Sequence, residues 1–215
     1  MNAKSIKQQH HELFIEAMRA RQHYGIYNIL TNDVDVPRFR KIMEEYPEFF
    51  DLTIAAHLYA VVIRLGKLFD NKNVSIPRLL KRIKKSANAD DVAAIEKKVQ
   101  AIAHCVKKIT NVRHGALAHL SIHSTPKEIF KAAGMTDDDL NILTQTSLEI
   151  LGDIGPFVDG ITNVEFNSAQ DSTRAMLTQL EAVLRPLTED KLWKTGGVTG
   201  RAGLERLKHY GAWHQ

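Results

Sequence analysis

At 215 residues the chain is long enough to bury a core without disulfides or a structural metal. Its single cysteine, Cys105, has no internal partner, which points to a reducing, cytoplasmic compartment. The net charge of +4, from 29 basic and 25 acidic residues, is too small to signal nucleic acid by itself, so the placement of the charge has to decide. We find no continuous run of apolar residues long enough to span a bilayer, and "MNAKSIKQQHHELF" has no apolar signal-peptide core. The expectation is a soluble, intracellular protein with no membrane span.

The pattern is helical almost throughout. Over residues 5–30, Leu13, Ala17, Ala20, Tyr24 and Tyr27 recur on one helix face. "TNDVDVP" breaks it, and a short helical piece, "RFRKIMEEY", leads to Pro47. Proline suits a first helical turn because its missing N–H has no partner there. From Pro47 to about Asp70, the set Ile54, Leu58, Val61, Leu65 and Leu68 predicts a core-facing stripe. "DNKNV" turns the chain. Ser75 is expected to cap the basic helix that follows, with Pro77 tolerated in its first turn. "SANADD" breaks again. The next helix carries Val92, Ile95, Val99, Ile102, Val106 and Ile109, and runs straight into "TNVRHGALAHLS".

"STPKE" reads as a fresh helix start, with Thr125 as cap, Pro126 first and Glu128 completing a capping box. That helix stops at Gly134. Thr136 caps another, bearing Leu140, Leu143, Ile150, Ile154, Phe157 and Ile161. A last amphipathic helix holds Met176, Leu180, Val183 and Leu184 and ends near Pro186. No segment alternates as a strand. The fold class is all-α: an up-and-down bundle of about five main helices over residues 1–187, with a glycine-containing C-terminal extension at 188–215. Within that extension, "TGGVTGRAG" lacks the order of a phosphate-binding P-loop.

The basic residues cluster. "PRLLKRIKK" holds Arg78, Lys81, Arg82, Lys84 and Lys85, and Lys97, Lys98, Lys107 and Lys108 follow on the next helix. Such a run is more often a solvated face than a binding site. The sharper reading gives Arg78, Lys81, Arg82 and Lys85 contacts to RNA phosphates. His114, His119 and His123 offer little to a metal. His119 and His123 share a helix face, but no acidic residue lies between 111 and 124 to complete a set. We therefore expect neither a metal nor a cofactor. Cys105 has no evident base on its helix and is expected to be inert.

"TNVRHGALAHLS" is the unusual stretch. It sets Arg113, His114 and His119 around Gly115, Ala116 and Ala118. On a straight helix His119 lies about 240° around the axis from Arg113, so the two side chains diverge. They converge only across a bend or from two copies, and the small residues permit both the bend and a close backbone approach. Arg113-His114-Gly-Ala-Leu-Ala-His119 resembles the HEPN signature: arginine, a polar residue, a short spacer, then histidine. The preceding "AAHLYAVVIRLGKLFDNKNVSIPRLLKRIKK" is similar to the abortive-infection AbiU-like branch of that superfamily. The resemblance covers roughly residues 5–165 and leaves out the tail after 188.

The resemblance implies a metal-independent endoribonuclease, usually a homodimer, acting in phage defence or as a toxin with a cognate antitoxin. It implies catalytic positions at Arg113 and His119, with His114 in the polar position. Histidine titrates near neutral pH and can take the ribose 2′-OH proton, while an arginine fork can hold the phosphate. Blander readings stand beside it. His119 can be a buried histidine bonded to a backbone carbonyl, and Arg113 a salt bridge to Asp70 or another carboxylate. His57 and Arg64 share a helix face and stay outside the catalytic set. The alternatives in function are a non-catalytic HEPN module that binds RNA, nucleotide or protein, and a helical interaction protein.

Overall fold

The computed structural model describes residues 5–70, 74–85, 87–118, 126–160 and 168–189. Among them all regular structure is helical. In chain order the helices are α1 (Ile6–Thr31), α2 (Asp35–Glu45), α3 (Pro47–Leu68), α4 (Ile76–Ile83), α5 (Ala89–Ala101), α6 (Ala103–Ala118), α7 (Pro126–Ala133), α8 (Asp137–Ile154) and α9 (Ser168–Glu189). A 3-10 turn, Gly155–Val158, follows α8. The all-α fold class of the sequence holds. Contacts group the chain into two compact units, one of Met1–Tyr24 with Tyr59–Phe166, the other of Gly25–Leu58 with Asn167–Gln215.

In the first unit, α6 packs against α7 and α8, and α5 against α8. The expected stripes are the buried ones: Leu13, Ala17 and Ala20 on α1, Val61, Leu65 and Leu68 on α3, Leu140, Leu143, Ile150 and Ile154 on α8. The helix expected to run unbroken from Val92 to Ile109 is two helices. Ile102 leaves helical geometry (φ −95°, ψ 5°) between α5 and α6. That break resets the inward face. Ile102, Cys105, Ile109 and Val112 are buried, whereas Val99 and Val106 are only half-buried.

The "SANADD" break holds, and within it Asn88, not assigned from the sequence, caps α5 by accepting from the Asp90 N–H. Thr136 and Asp139 form a reciprocal capping box at the start of α8. Gly134 ends α7 with φ +60°. Ser75 departs from expectation: it holds the extended cap conformation, but its hydroxyl makes no capping bond. Pro77, at the second helical position, has no N–H to donate, and the Ser75 hydroxyl is instead buried without a partner among the described residues. Thr125, the expected cap of α7, His119, His123 and Ile161 lie outside the described residues. Phe157 falls in the 3-10 turn and is half-buried.

In the second unit α2 packs on α9. The Arg174 fork grips buried Asp35 with Nε to Oδ1 and Nη2 to Oδ2, both at 3.0 Å. Asn32 accepts from the backbone N–H of Val34 and Asp35 and donates to the Asp35 carboxylate, so the "TND" break is a hydrogen-bonded turn. The Arg174 hydrogen bond, against opposing burial, holds the Asp35 carboxyl below its usual range. The grip also sets the rotation of α9. Leu177 and Thr173 turn inward, and Met176, Leu180 and Val183, expected on the apolar face of an amphipathic helix, are exposed instead.

One expectation needs correction. Residues Pro47–Leu68 contain an 18-residue window of mean hydropathy 1.5, which is long and apolar enough to cross a membrane by length and composition. Only isolated polar residues such as Asp51 and Arg64 interrupt it, so a search for unbroken apolar runs passes over it. Core helices of soluble proteins pass the same measure.

Two consequences can be measured. No atom lies within 4 Å of a Cβ built on Gly134, so Gly134→Ala tests the left-handed backbone alone. It should lower stability by about 1 kcal/mol in urea melts, and Gly134→Asn by less. Equal melts for both variants and wild type would contradict this. The Asp139 carboxyl is pulled down to about 2: burial pushes it up, but hydrogen bonds from Lys108, the Thr136 N–H, Cys105 and the Thr136 hydroxyl outweigh burial. A depressed folded-state pKa stabilises above the unfolded value of about 4 and is lost as pH falls towards 2. Asp139→Asn should therefore melt below wild type at pH 7, with the gap closing by about pH 2.

Candidate functional site

Arg113 lies half-exposed on α6 and reaches across to the last turn of α3. Its Nη1 donates to the Gly66 carbonyl at 3.2 Å and to Asp70 Oδ2 at 3.5 Å. Carbonyls in a last helical turn lack an intrahelical donor and carry partial negative charge, so a guanidinium is a fitting cap there. Gly66 makes the approach possible: a Cβ on it would stand 2.5 Å from Arg113 Cδ. The salt bridge to Asp70 weighed from the sequence is thus present. His114 is exposed beside Arg113. His119 lies outside the described residues, so its expected convergence with Arg113 goes without a distance.

Gly115 has a role within the chain. A Cβ there would approach Ile129 Cγ2 of α7 to 3.1 Å, so the missing side chain lets α6 and α7 pack closely. The close approach expected for this small-residue segment is filled, at Gly115, by the chain's own next helix.

The basic run resolves into two groups. On α4, Ile76, Leu79, Leu80 and Ile83 are buried. The opposite face presents Arg78, Lys81, Arg82 and Lys85, which with Gln9 and Val74 line a cleft of about 340 Å³. That volume is at the small end of ligand sites, ~300–1,000 Å³. Lys84 instead pairs with Glu96, Lys98 with Asp153, and Lys108 with Asp139. On α3, Arg64 and Lys67 both bind Glu16 of α1, at 2.7 and 3.1 Å. Burial pushes the Glu16 carboxyl up, but these two cations outweigh it and hold it low. The four residues expected at an RNA surface share one cleft, while three of their basic neighbours are spent on ion pairs.

One cluster had no sequence signal. His104 and Cys105, near the start of α6, meet Asp139 in the first turn of α8. The Cys105 Sγ stands 3.0 Å from His104 Nε2 and donates to Asp139 Oδ1 at 3.2 Å. The thiol therefore has a base beside it, contrary to expectation. Burial and then the bond to Asp139 push the thiol up to about 11, which favours its protonated form in the metal-free protein. Nothing in the 34-residue separation of Cys105 and Asp139 announces a contact.

The Gly66 geometry makes a prediction whose sign rests on two opposing magnitudes. Replacing a mid-helix glycine by alanine favours the helix by ~1 kcal/mol. The clash falls on a flexible side chain that can move. Gly66→Ala should leave helical content and melting temperature close to wild type while detaching Arg113 from Asp70. Any function that depends on Arg113 should then fall at least as far as in Asp70→Asn. Retention of that function in Gly66→Ala would show that the docked position does not matter.

No curated protein and no solved structure matches the chain. The profile of the HEPN family described as AbiU2 matches residues 3–171, more than half of the chain, and takes in α1 through the first turn of α9 with the Arg113–His119 stretch and the α4 cleft. This chain belongs to the AbiU2 family of HEPN domains.

Proposed function

We propose that the chain is a metal-independent endoribonuclease that works as a homodimer in the cytoplasm, in phage defence or as the toxin of a toxin–antitoxin pair. The observation that carries this reading is the docking of Arg113: a half-exposed guanidinium held at the end of α3, in the motif of a HEPN family member. At 3.5 Å the Asp70 contact is long for a charge-assisted bond, which is typically ~2.7–2.9 Å. A phosphate oxygen can compete for such a fork. Arg113 then holds the scissile phosphate and the charge that develops on it. His119 accepts the 2′-OH proton, and that oxygen attacks the adjacent phosphorus, expelling the 5′-oxygen of the next nucleotide. His114 orients Arg113 or supplies the proton to the leaving oxygen. The products carry a 2′,3′-cyclic phosphate, and DNA, without the 2′-OH, is inert. The α4 cleft holds flanking phosphates.

The same Arg113–Asp70 pair favours a second reading. If the carboxylate keeps the fork, the domain binds RNA or a protein partner without cleaving it.

Structured RNA incubated with the protein in EDTA separates the two. Cleavage should appear in wild type and fall at least ~100-fold in Arg113→Ala and in His119→Ala. Equal cleavage in all three proteins means a contaminant and overturns the enzyme. Binding without cleavage supports the second reading. For either, binding should weaken with salt, and neutralising Arg78, Lys81, Arg82 and Lys85 together should reduce the log–log salt slope by about 3. An unchanged slope removes the cleft from the RNA path. A strict monomer in light scattering at micromolar concentration overturns the dimer.

A further inference from the structure

We propose that His104, Cys105 and Asp139 form a binding site for a zinc-type divalent cation, with its fourth position open to solvent. It is separate from the RNA chemistry above. The three side chains offer an imidazole nitrogen, a sulfur and a carboxylate oxygen, all within 4.8 Å of one another. This donor set, one soft and two borderline or hard, is the kind that selects zinc over magnesium or calcium.

The separations fit. In a tetrahedral zinc site the donor atoms stand roughly 3.2–3.6 Å apart. Here sulfur lies 3.0 Å from the imidazole Nε2 and 3.2 Å from Asp139 Oδ1, and the nitrogen and oxygen are 4.0 Å apart. The adjustment needed is on His104, whose side chain is 64% exposed and has room to turn. The other two ligands are buried and already placed.

The surroundings aim the carboxylate. Asp139 Oδ2 accepts three hydrogen bonds, from the Thr136 N–H and hydroxyl at 2.9 Å each and from Lys108 Nζ at 2.8 Å. Oδ2 is therefore occupied, and Oδ1 is the oxygen turned to sulfur and imidazole. An outer shell that fixes a ligating carboxylate in one orientation is a regular feature of protein metal sites. Lys108 also offsets part of the anionic ligand charge, so the site suits an exchangeable ion. On binding, the Cys105 S–H bond is replaced by a sulfur–metal bond and the proton leaves to solvent.

The site clips the start of α6 to the first turn of α8. Cys105 and Arg113 are eight residues apart on α6, about 12 Å along its axis. A bound ion there acts as a brace for the helix that carries Arg113.

Cobalt(II) is the probe, added to the full chain after EDTA stripping and desalting. Wild type should bind one ion per chain and show the thiolate-to-cobalt charge-transfer band, which zinc then displaces. Cys105→Ser should lose the band. His104→Ala, a change at an exposed residue that leaves the core alone, should weaken binding at least ~10-fold, and Asp139→Asn should weaken it too. Zinc should raise the melting temperature of wild type and not of His104→Ala. Absence of the band in wild type, or equal affinity in wild type and His104→Ala, overturns the site and leaves the cluster as a hydrogen-bonded cap. Because the RNA assay is run in EDTA, its outcome and this one are independent.

Discussion

A missing side chain at Gly66 governs how Arg113 of α6 docks on the end of α3. Gly66 sits in α3 among large apolar residues, where glycine costs ~1 kcal/mol against alanine. The space it leaves is taken by the Arg113 stem, and its carbonyl is taken by the Arg113 guanidinium. The neighbouring Asp70 holds the same group electrostatically. An arginine fixed in this way has lost much of its rotamer freedom already, yet its side chain keeps about 30% of its surface in water.

Charge in this protein is a matter of placement. The net value of +4 hides a division of labour among its cations. Arg64, Lys67, Lys84, Lys98, Lys108 and Arg174 all meet carboxylates inside the chain. Those pairs tie helix to helix and add little to the outer field. On α4, Arg78, Lys81, Arg82 and Lys85 line one hollow with Gln9 and Val74, on the face opposite the buried Ile76, Leu79, Leu80 and Ile83.

The Asp139 carboxylate joins three elements of chemistry in one residue. It completes the cap of α8, pairs with Lys108 and accepts from the Cys105 thiol. Each donor favours its charged form, which is why it stays ionised although buried. The same carboxylate, by accepting from the thiol, favours the protonated form of Cys105 in the metal-free protein.

Much of the fold was legible in the chain. The stripes on α1, α3 and α8 follow from spacing, because a helix repeats every ~3.6 residues whatever it packs against, and the Thr136 cap and the Gly134 stop follow from residue type. Spacing also marked Arg113 and His114 as odd residues among small ones. It did not reveal the Ile102 break, since the apolar period runs on in the sequence and only packing shows that the face has shifted. It misread α9, because the rotation of that helix is set by Arg174 on Asp35, a pair 139 residues apart. It missed His104, Cys105 and Asp139 for the same reason. On α1, α3 and α8 the local repeat by itself marks the face that is buried. Which faces meet, and so which donors, acids and thiols share a few ångströms, depends on contacts between distant segments, and that was decided only in three dimensions.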